Sequence, residues 1–141
     1  MPEFHIPVEA NDARWNSLDE FQKGFVEAMF FTSTGSADDE DLECACFEEL
    51  SELALESIVL DCKAFQEMAK KELELVYDMK RKDYAYDENA AGRDFWYTRN
   101  GHGVGFWCRD LGELGDKLSE YSKKFREMDL YLGDDGLVYF S

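Results

Sequence analysis

The chain has 141 residues, a formal net charge of -17 at pH 7, 45% hydrophobic and 15% aromatic residues. A domain of this length buries roughly two-thirds of its unfolded surface, and a disordered acidic tail would lack such aromatics, so we expect one folded domain over residues 1–141. The charge disfavours direct binding to nucleic acid or anionic membranes, and neither an apolar run near 18 residues nor a signal-like N-terminus is present, so we expect a soluble cytoplasmic protein.

The first predicted element is a helix over 18–31. Ser17 to Glu20 has the pattern of a capping box, in which a serine oxygen and a glutamate satisfy backbone N–H groups at a helix start. Leu18, Phe21, Phe25, Ala28 and Met29 then recur at helical spacing.

The segment after this helix is dense in acid and contains two of the four cysteines. The acidic run 38–41 lacks the glycine and ligand spacing of an EF-hand. The cysteines do not have the spacing of a zinc site or of a small disulfide framework; they are Cys44, Cys46, Cys62 and Cys108. We therefore expect reduced thiols and neither a metal nor a cofactor.

The longest predicted helix covers 53–79, where apolar residues recur in steps of three and four. Next, 95–98 and 104–107 are rich in β-forming residues and flank a turn with Asn100, Gly101 and Gly103, which predicts a hairpin. A third helix is predicted to begin at Asp110, with Glu113 completing a second capping box.

A second hairpin signal lies at the C-terminus, where two apolar stretches flank Gly133 to Gly136. Together these elements predict an α+β fold with about three helices packed on a small, mainly antiparallel sheet built from two hairpins. The acidic part lies in 1–56, and the aromatic and glycine-rich hairpin with the C-terminal part lies in 91–141.

The stretch from Asp94 to Trp107 reads D-F-W-Y-T-R-N-G-H-G-V-G-F-W. It resembles a widespread set of small acidic proteins encoded by bacteriophages, recognised by D-F-W-x-T-R-N-G-H-G-x-G-F-W. The resemblance covers about the last half of the chain, from Phe65 onward. It implies a phage setting and carries no established activity, and the N-terminal third is poorly matched.

This motif has three interpretations. In an enzyme, His102 would be a general base oriented by Asp94, with Arg93, Arg99 or Arg109 binding an anion. In a phosphate loop, Gly101, Gly103 and Gly105 would present backbone N–H groups, although their spacing matches neither the P-loop nor the dinucleotide pattern. In a purely structural role, the glycines build a turn and the aromatic residues fill the core.

The acid is concentrated near the N-terminus. Residues 1–56 contain fifteen acidic and two basic side chains, a net charge of -13, whereas the other 85 residues contain 17 and 13, a net charge of -4. Glu48, Glu52 and Glu56 are spaced four apart, so on a helix they would share one face about 6 Å apart. Such spacing of like charges opposes helix formation, which suggests a function that compensates.

Nine carboxylates between residues 38 and 56 would give about one per 3 Å on a helix, close to the roughly 3.4 Å charge spacing of one DNA strand. This density predicts a DNA mimic that inhibits a host defence or nucleic-acid enzyme, as an anti-CRISPR or anti-restriction protein does. The predicted partner-binding residues are Asp38, Asp39, Glu40, Asp41, Glu43, Glu48, Glu49, Glu52 and Glu56, extended by Asp19, Glu20 and Glu27.

The predicted partner is therefore the basic DNA- or RNA-binding surface of a host protein complex, engaged by protein–protein interaction in the host cytoplasm. A phage accessory protein that binds another protein partner is the first alternative, and a small enzyme using His102 and Asp94 is the second. The sequence leaves open whether the chain forms a homodimer.

Overall fold

Helices make up most of the part of the chain that the computed structural model describes, namely residues 13–33, 47, 50–78, 86–101, 104–109, 111–127 and 130–140. In chain order the elements are α1 (Ala13–Asn16), α2 (Glu20–Ser33), α3 (Glu52–Met68), α4 (Lys70–Tyr77), α5 (Glu88–Arg99), a 3-10 helix (Phe106–Cys108), α6 (Glu113–Ser122), β1 (Leu130–Leu132) and β2 (Val138–Phe140). The predicted α+β fold of about three helices on a sheet of two hairpins is wrong: over these residues the fold is mainly helical, with one two-stranded antiparallel sheet.

The predicted helix over 18–31 is confirmed as α2, but another residue caps it. Asp19 Oδ1 accepts a hydrogen bond from the backbone N–H of Gln22 at 2.7 Å, and Gln22 Oε1 accepts one from the N–H of Asp19 at 3.1 Å. The Ser17 hydroxyl instead donates to the carbonyl of Arg14. Asp19 and Gln22 thus form the capping box, two residues beyond the predicted one.

The predicted helix over 53–79 is divided at Ala69 into α3 and α4. Ala69 has φ -104° and ψ 14°, outside the regular helical range, and its N–H still donates to the carbonyl of Phe65 at 2.9 Å. The buried side chains continue across the break through Phe65, Ala69 and Leu73. An apolar pattern that runs through a break cannot reveal it, which explains the error.

The predicted hairpin over 95–98 and 104–107 is wrong, because α5 occupies the first stretch and the 3-10 helix occupies the second half of the other. Asp87 starts α5 by accepting a hydrogen bond from the N–H of Ala90 at 2.9 Å. All the side chains of 94–99 are buried, so this helix is covered on every side at its C-terminal end. Tertiary packing therefore outweighs the β-propensity of its aromatic residues.

Helices α2 and α5 cross at very short range. A Cβ atom on Gly24 would lie 2.0 Å from the carbonyl oxygen of Asn89, and one on Gly92 would lie 1.9 Å from that of Phe21. Only glycine allows the two backbones to approach this closely. These two glycines therefore fix how the acid-rich N-terminal third packs on the motif-bearing helix.

Aromatic rings fill the centre of the core. The rings of Phe65 on α3 and Phe95 on α5 stack with their centroids 4.2 Å apart, and Phe21 from α2 lies 5.7 Å from Phe65. Phe106 of the 3-10 helix stacks on Phe65 from another side at 5.7 Å. Because such rings contribute packing beyond their buried area, this cluster joins four elements.

The C-terminal hairpin prediction is confirmed. Strands β1 and β2 pair antiparallel with Tyr131 opposite Tyr139, and Gly136 in the turn has φ +81°. The N–H of Ser51 donates to the carbonyl of Val138 at 3.0 Å, so β2 is attached to the start of α3. Helix α6 begins at Glu113 after Gly112, whereas the predicted cap Asp110 lies outside the described residues.

Candidate functional site

The predicted acidic surface is only partly within the described chain. Five of the predicted partner-binding residues are described, namely Asp19, Glu20, Glu27, Glu52 and Glu56. The other seven lie outside the described residues; they are Asp38, Asp39, Glu40, Asp41, Glu43, Glu48 and Glu49. The structure thus describes the predicted residues at α2 and those at the start of α3.

Glu52 and Glu56 lie on the first two turns of α3. Ser51 caps this helix by accepting a hydrogen bond from the N–H of Ala54 at 3.1 Å. The Glu52 side chain is 78% exposed and its carboxylate lies 3.2 Å from a guanidinium nitrogen of Arg14. Both glutamates face solvent on adjacent turns of one helix face, as the four-residue spacing predicts.

The other three acidic residues have contacts within the fold. Asp19 caps α2 and its Oδ2 lies 3.4 Å from Gln66 Nε2. Glu20 pairs with Lys23 at 3.6 Å. Glu27 is half-buried and accepts a hydrogen bond from Asn89 at 3.4 Å; burial raises its pKa, against the lowering effect of Asn89. Asp19 and Glu20 therefore make contacts within the fold as well as adding charge, whereas burial disfavours the ionised form of Glu27.

A second acidic pair lies beside Asp19 and Glu20. Asp87 and Glu88 start α5 as cap and first helical residue, just as Asp19 and Glu20 start α2. Burial raises the pKa of Tyr77, and the nearby negative charges of Glu88, Asp19 and Asp87 raise it further. We call Asp19, Glu20, Asp87 and Glu88 the acidic junction.

Two neighbouring cavities open at this junction and share Tyr77 and Glu88. One of about 370 Å³ is lined by Glu20, Tyr77, Tyr86, Asp87, Glu88 and Asn89. The other, of about 470 Å³, is lined by Lys63, Gln66, Glu67, Lys70, Leu73, Glu74, Tyr77 and Glu88. The acidic junction was not predicted from the sequence, because Asp87 and Glu88 belong to the nearly neutral part of the chain. The sequence signal that could have indicated it is the Asp-Glu pair that occurs at the start of both α2 and α5.

Of the proposed catalytic pair, the structure describes only Asp94. Asp94 is 1% exposed, its Oδ2 accepts a hydrogen bond from the Tyr86 hydroxyl at 2.5 Å, and its Oδ1 accepts one from Arg109 Nη2 at 2.9 Å. Burial lowers the pKa of Arg109, but the hydrogen bonds and charge of Asp94 outweigh this and raise it overall. His102 lies outside the described residues, so its pairing with Asp94 stays a hypothesis.

The predicted anion-binding arginines also have partners. Arg99 donates to the carbonyl of Arg126 at 2.7 and 2.9 Å and to Asp61 at 3.1 Å, and its guanidinium lies 5.2 Å from the centre of the Phe95 ring. Burial is the main cause that lowers its pKa, against the charge of Asp61. Arg99 and Arg109 are thus engaged within the fold.

In its described part, the glycine-rich stretch packs closely against Thr98 of α5. The N–H of Gly105 donates to the Cys108 sulfur at 3.3 Å, and the N–H of Phe106 donates to the Thr98 hydroxyl at 3.2 Å. A Cβ on Gly105 would lie 2.2 Å from that hydroxyl oxygen. Both N–H groups are therefore occupied, which favours the structural interpretation of Gly105 over phosphate binding.

The described residues contain no group of three or more histidine, cysteine or acidic side chains arranged to hold a metal ion. Cys62 is a buried free thiol and Cys108 an exposed one, whereas Cys44 and Cys46 lie outside the described part. None of the described helices combines the length and apolar character needed to cross a membrane.

No family model, curated protein or solved structure matches the chain. The resemblance to small acidic phage proteins therefore stays a prediction that depends on the Asp94 to Trp107 motif.

Proposed function

We propose that the protein inhibits a host nucleic-acid enzyme by DNA mimicry, presenting its acidic surface to the partner's basic DNA- or RNA-binding groove. The observation that carries the proposal is the position of Glu52 and Glu56, exposed on one face at the start of α3. In the sequence, the dense acidic run 38–49 directly precedes them.

Binding would consist of charge-assisted pairs between these carboxylates and the lysines and arginines that hold phosphates in the partner. Long-range attraction between the -17 chain and a basic groove would also speed association. The inhibitor would compete with DNA and would need no catalytic group. The absence of a catalytic role is supported by the contacts of Asp94, Arg99 and Arg109, which make hydrogen bonds and ion pairs within the fold.

The phage motif sets the context of the proposal. A phage benefits from blocking host machines that engage incoming DNA, and CRISPR effectors and restriction enzymes hold that DNA in basic grooves. The proposed partner is such a complex in the host cytoplasm.

The test is a three-residue charge block. Glu48→Gln, Glu52→Gln and Glu56→Gln together remove three charges from the proposed surface, and Glu113→Gln, Glu120→Gln and Glu127→Gln remove three from exposed positions elsewhere. The blocks are matched because Glu52 and Glu113 are each the first residue of a helix. Tagged chains would be used to capture host proteins at about 50 mM and about 200 mM salt, followed by displacement of labelled duplex DNA from the captured complex.

We expect the wild-type chain to displace DNA and the first block to weaken displacement roughly ten- to a hundredfold, since exposed ion pairs contribute up to about 1 kcal/mol each. The second block should act like the wild type. Displacement that survives the first block with unchanged salt dependence would rule out mimicry. A captured complex that does not bind nucleic acid would favour the accessory-protein alternative.

A further inference from the structure

Helix α3 has two apolar faces. Its inner face is buried in the core and consists of Ala54, Leu55, Ile58, Cys62 and Phe65. Its outer face carries apolar side chains in solvent, spaced seven, four and four residues apart, namely Leu53, Leu60, Ala64 and Met68. We call these four residues the outer stripe. Because steps of three, four and seven return to the same side of a helix, they lie in one row, in which Ser57 separates Leu53 from Leu60.

The side chains of the outer stripe are strongly exposed although they are apolar. Leu53 and Leu60 are each 67% exposed and Met68 is 42% exposed. At 1.5 Å per residue the row is about 22 Å long, roughly four helical turns. Single exposed leucines are ordinary, but several exposed apolar side chains on one side of a helix are typical of a surface that another protein covers.

Charged residues on the same exposed side define the chemistry of the partner. The exposed charges are acidic at the N-terminal end of the row, with Glu52 and Glu56, and mixed in or beyond its C-terminal half, with Glu67, Lys63, Lys70 and Lys71. On the other side of the row, Asp61 pairs with Arg99 in the fold. A surface that covers the N-terminal end of the row must therefore bring positive charge to its margin.

We propose that the outer stripe docks an amphipathic helix of the partner protein, with apolar side chains every three or four residues flanked by lysine or arginine. The inference rests on the proposed function, because it assigns a second contact to the same basic partner. A second copy of this chain is a poor occupant, since it would bring a further -17 charge and the same three glutamates to the interface.

The two contacts have different dependences on salt. Ion pairs at the acidic surface weaken as added salt screens them, whereas apolar burial along the stripe does not depend on charge. The acidic surface would thus set the rate of encounter, and the stripe would hold the complex together after docking.

The experiment uses a defined probe. A fluorescent synthetic helix with a leucine row and lysine flanks is titrated with the whole protein, beside one peptide with serines in place of the leucines and one with glutamate flanks. Leu53→Gln/Leu60→Gln removes two exposed leucines while keeping good helix formers, and Val104→Gln/Tyr131→Gln removes two exposed apolar side chains outside α3. The Met68 methyl resonance reports contact with the row.

We expect the leucine–lysine peptide to bind and shift the Met68 signal, and Leu53→Gln/Leu60→Gln to weaken it roughly tenfold or more at both low and high salt. The other double variant should bind like the wild type. Equal binding of the serine peptide, equal binding of the glutamate peptide, or no effect of Leu53→Gln/Leu60→Gln would overturn the proposal. A wild-type dimer that becomes monomeric in that variant would also overturn it, by making a second copy the occupant.

The charge block separates this proposal from the mimicry. If Glu48→Gln/Glu52→Gln/Glu56→Gln leaves host capture unchanged while the leucine–lysine peptide still needs Leu53 and Leu60, the mimicry fails and the stripe stands. If the block abolishes capture while the leucine variant binds the peptide normally, the stripe fails and the mimicry stands.

Discussion

Asp94 and Arg109 form an ion pair that the fold encloses on one side. The Arg109 Nε lies 3.2 Å from each oxygen of Asp94, and Tyr86 donates to the same carboxylate. Asp94 is on α5 and Arg109 directly follows the 3-10 helix. The ion pair therefore connects the first residue of the motif to the residues just after its end. Burial and the charge of Asp94 raise the pKa of Tyr86 well above its usual range, which keeps this hydroxyl a hydrogen-bond donor.

Replacing Asp94 by asparagine should therefore destabilise the protein. The amide keeps the size but removes the negative charge that pairs with Arg109, and breaking such a pair costs about 3–5 kcal/mol when it is fully buried. Because the Arg109 side chain is 31% exposed, we expect about 2–4 kcal/mol by urea denaturation. Glu113→Gln, on an exposed residue, serves as control, and a loss below about 1 kcal/mol would contradict a structural role for Asp94.

Glu27 gives stability a dependence on pH. Burial raises its pKa in the folded state above the ordinary value of 4.5, so the folded protein holds this proton more tightly than the unfolded chain does. The contribution to stability is fully present below the unfolded pKa and is lost as pH rises through the folded pKa. Ionised Glu27 is therefore destabilising at neutral pH.

We accordingly expect Glu27→Gln to raise the free energy of unfolding at pH 7, and the gain to disappear on acidification below the unfolded pKa. Glutamine can still accept the hydrogen bond from Asn89. Denaturation curves across this pH range measure the effect, with Glu120→Gln correcting for the change in net charge. A gain that persists unchanged in acid would show that burial of the charge is not its cause.

At the scale of elements, the crossing of α2 and α5 depends on two glycines. A Cβ on Gly92 would meet backbone atoms of α2 at 1.9 and 2.8 Å, and backbone cannot rotate away as a side chain can. Gly136 differs, because its φ of +81° is unfavourable for other residues although no atom lies within 4 Å of a Cβ there.

The two glycines should respond differently to alanine. Gly92→Ala should cost about 3 kcal/mol or more, since the helices must separate, even though alanine favours a helix by about 1 kcal/mol. Gly136→Ala should cost only about 1–2 kcal/mol, from backbone strain. Thermal and urea unfolding of both variants test this, and a Gly92→Ala protein as stable as the wild type would disprove the close crossing.

Helices and strands that depend on local sequence signals could be predicted, whereas those that depend on distant contacts could not. The apolar spacing of α2 and the glycine-bearing turn between β1 and β2 are local signals, and both elements were found. The helical state of α5 depends on packing against α2 through Gly24 and Gly92, a contact between distant residues that no local pattern contains. The same limit applies to the candidate site: exposed Glu52 and Glu56 follow from spacing, whereas the acidic junction requires two helix starts to meet.

At the scale of the whole molecule, the charge is expected to oppose folding. A net charge of -17 on one small domain repels itself, and the described ion pairs, such as Arg14 with Glu52, neutralise only part of it. The protein is therefore expected to be less stable in dilute buffer than in physiological salt.

Adding salt should stabilise the protein. Between about 10 mM and about 150 mM the screening length falls from about 30 Å to about 8 Å, so repulsion across the molecule is reduced. We expect Tm to rise by roughly 4 °C, equivalent to about 1 kcal/mol, and to rise less in Glu56→Gln/Glu120→Gln, whose net charge is -15. Scanning calorimetry over this salt range is the measurement, and a falling Tm would mean that internal ion pairs outweigh the repulsion.

The crossing at Gly24 and Gly92 also bears on engineering and on inheritance. Phe21 and Phe25 come from the acid-rich third of the chain, yet their rings pack on Phe95 within the motif. Grafting α2 onto another scaffold would leave these rings without their partner, so this acid-bearing helix is not a portable module. Within a lineage, α2 must keep the residues that fit α5, while its solvent-facing positions remain open to change.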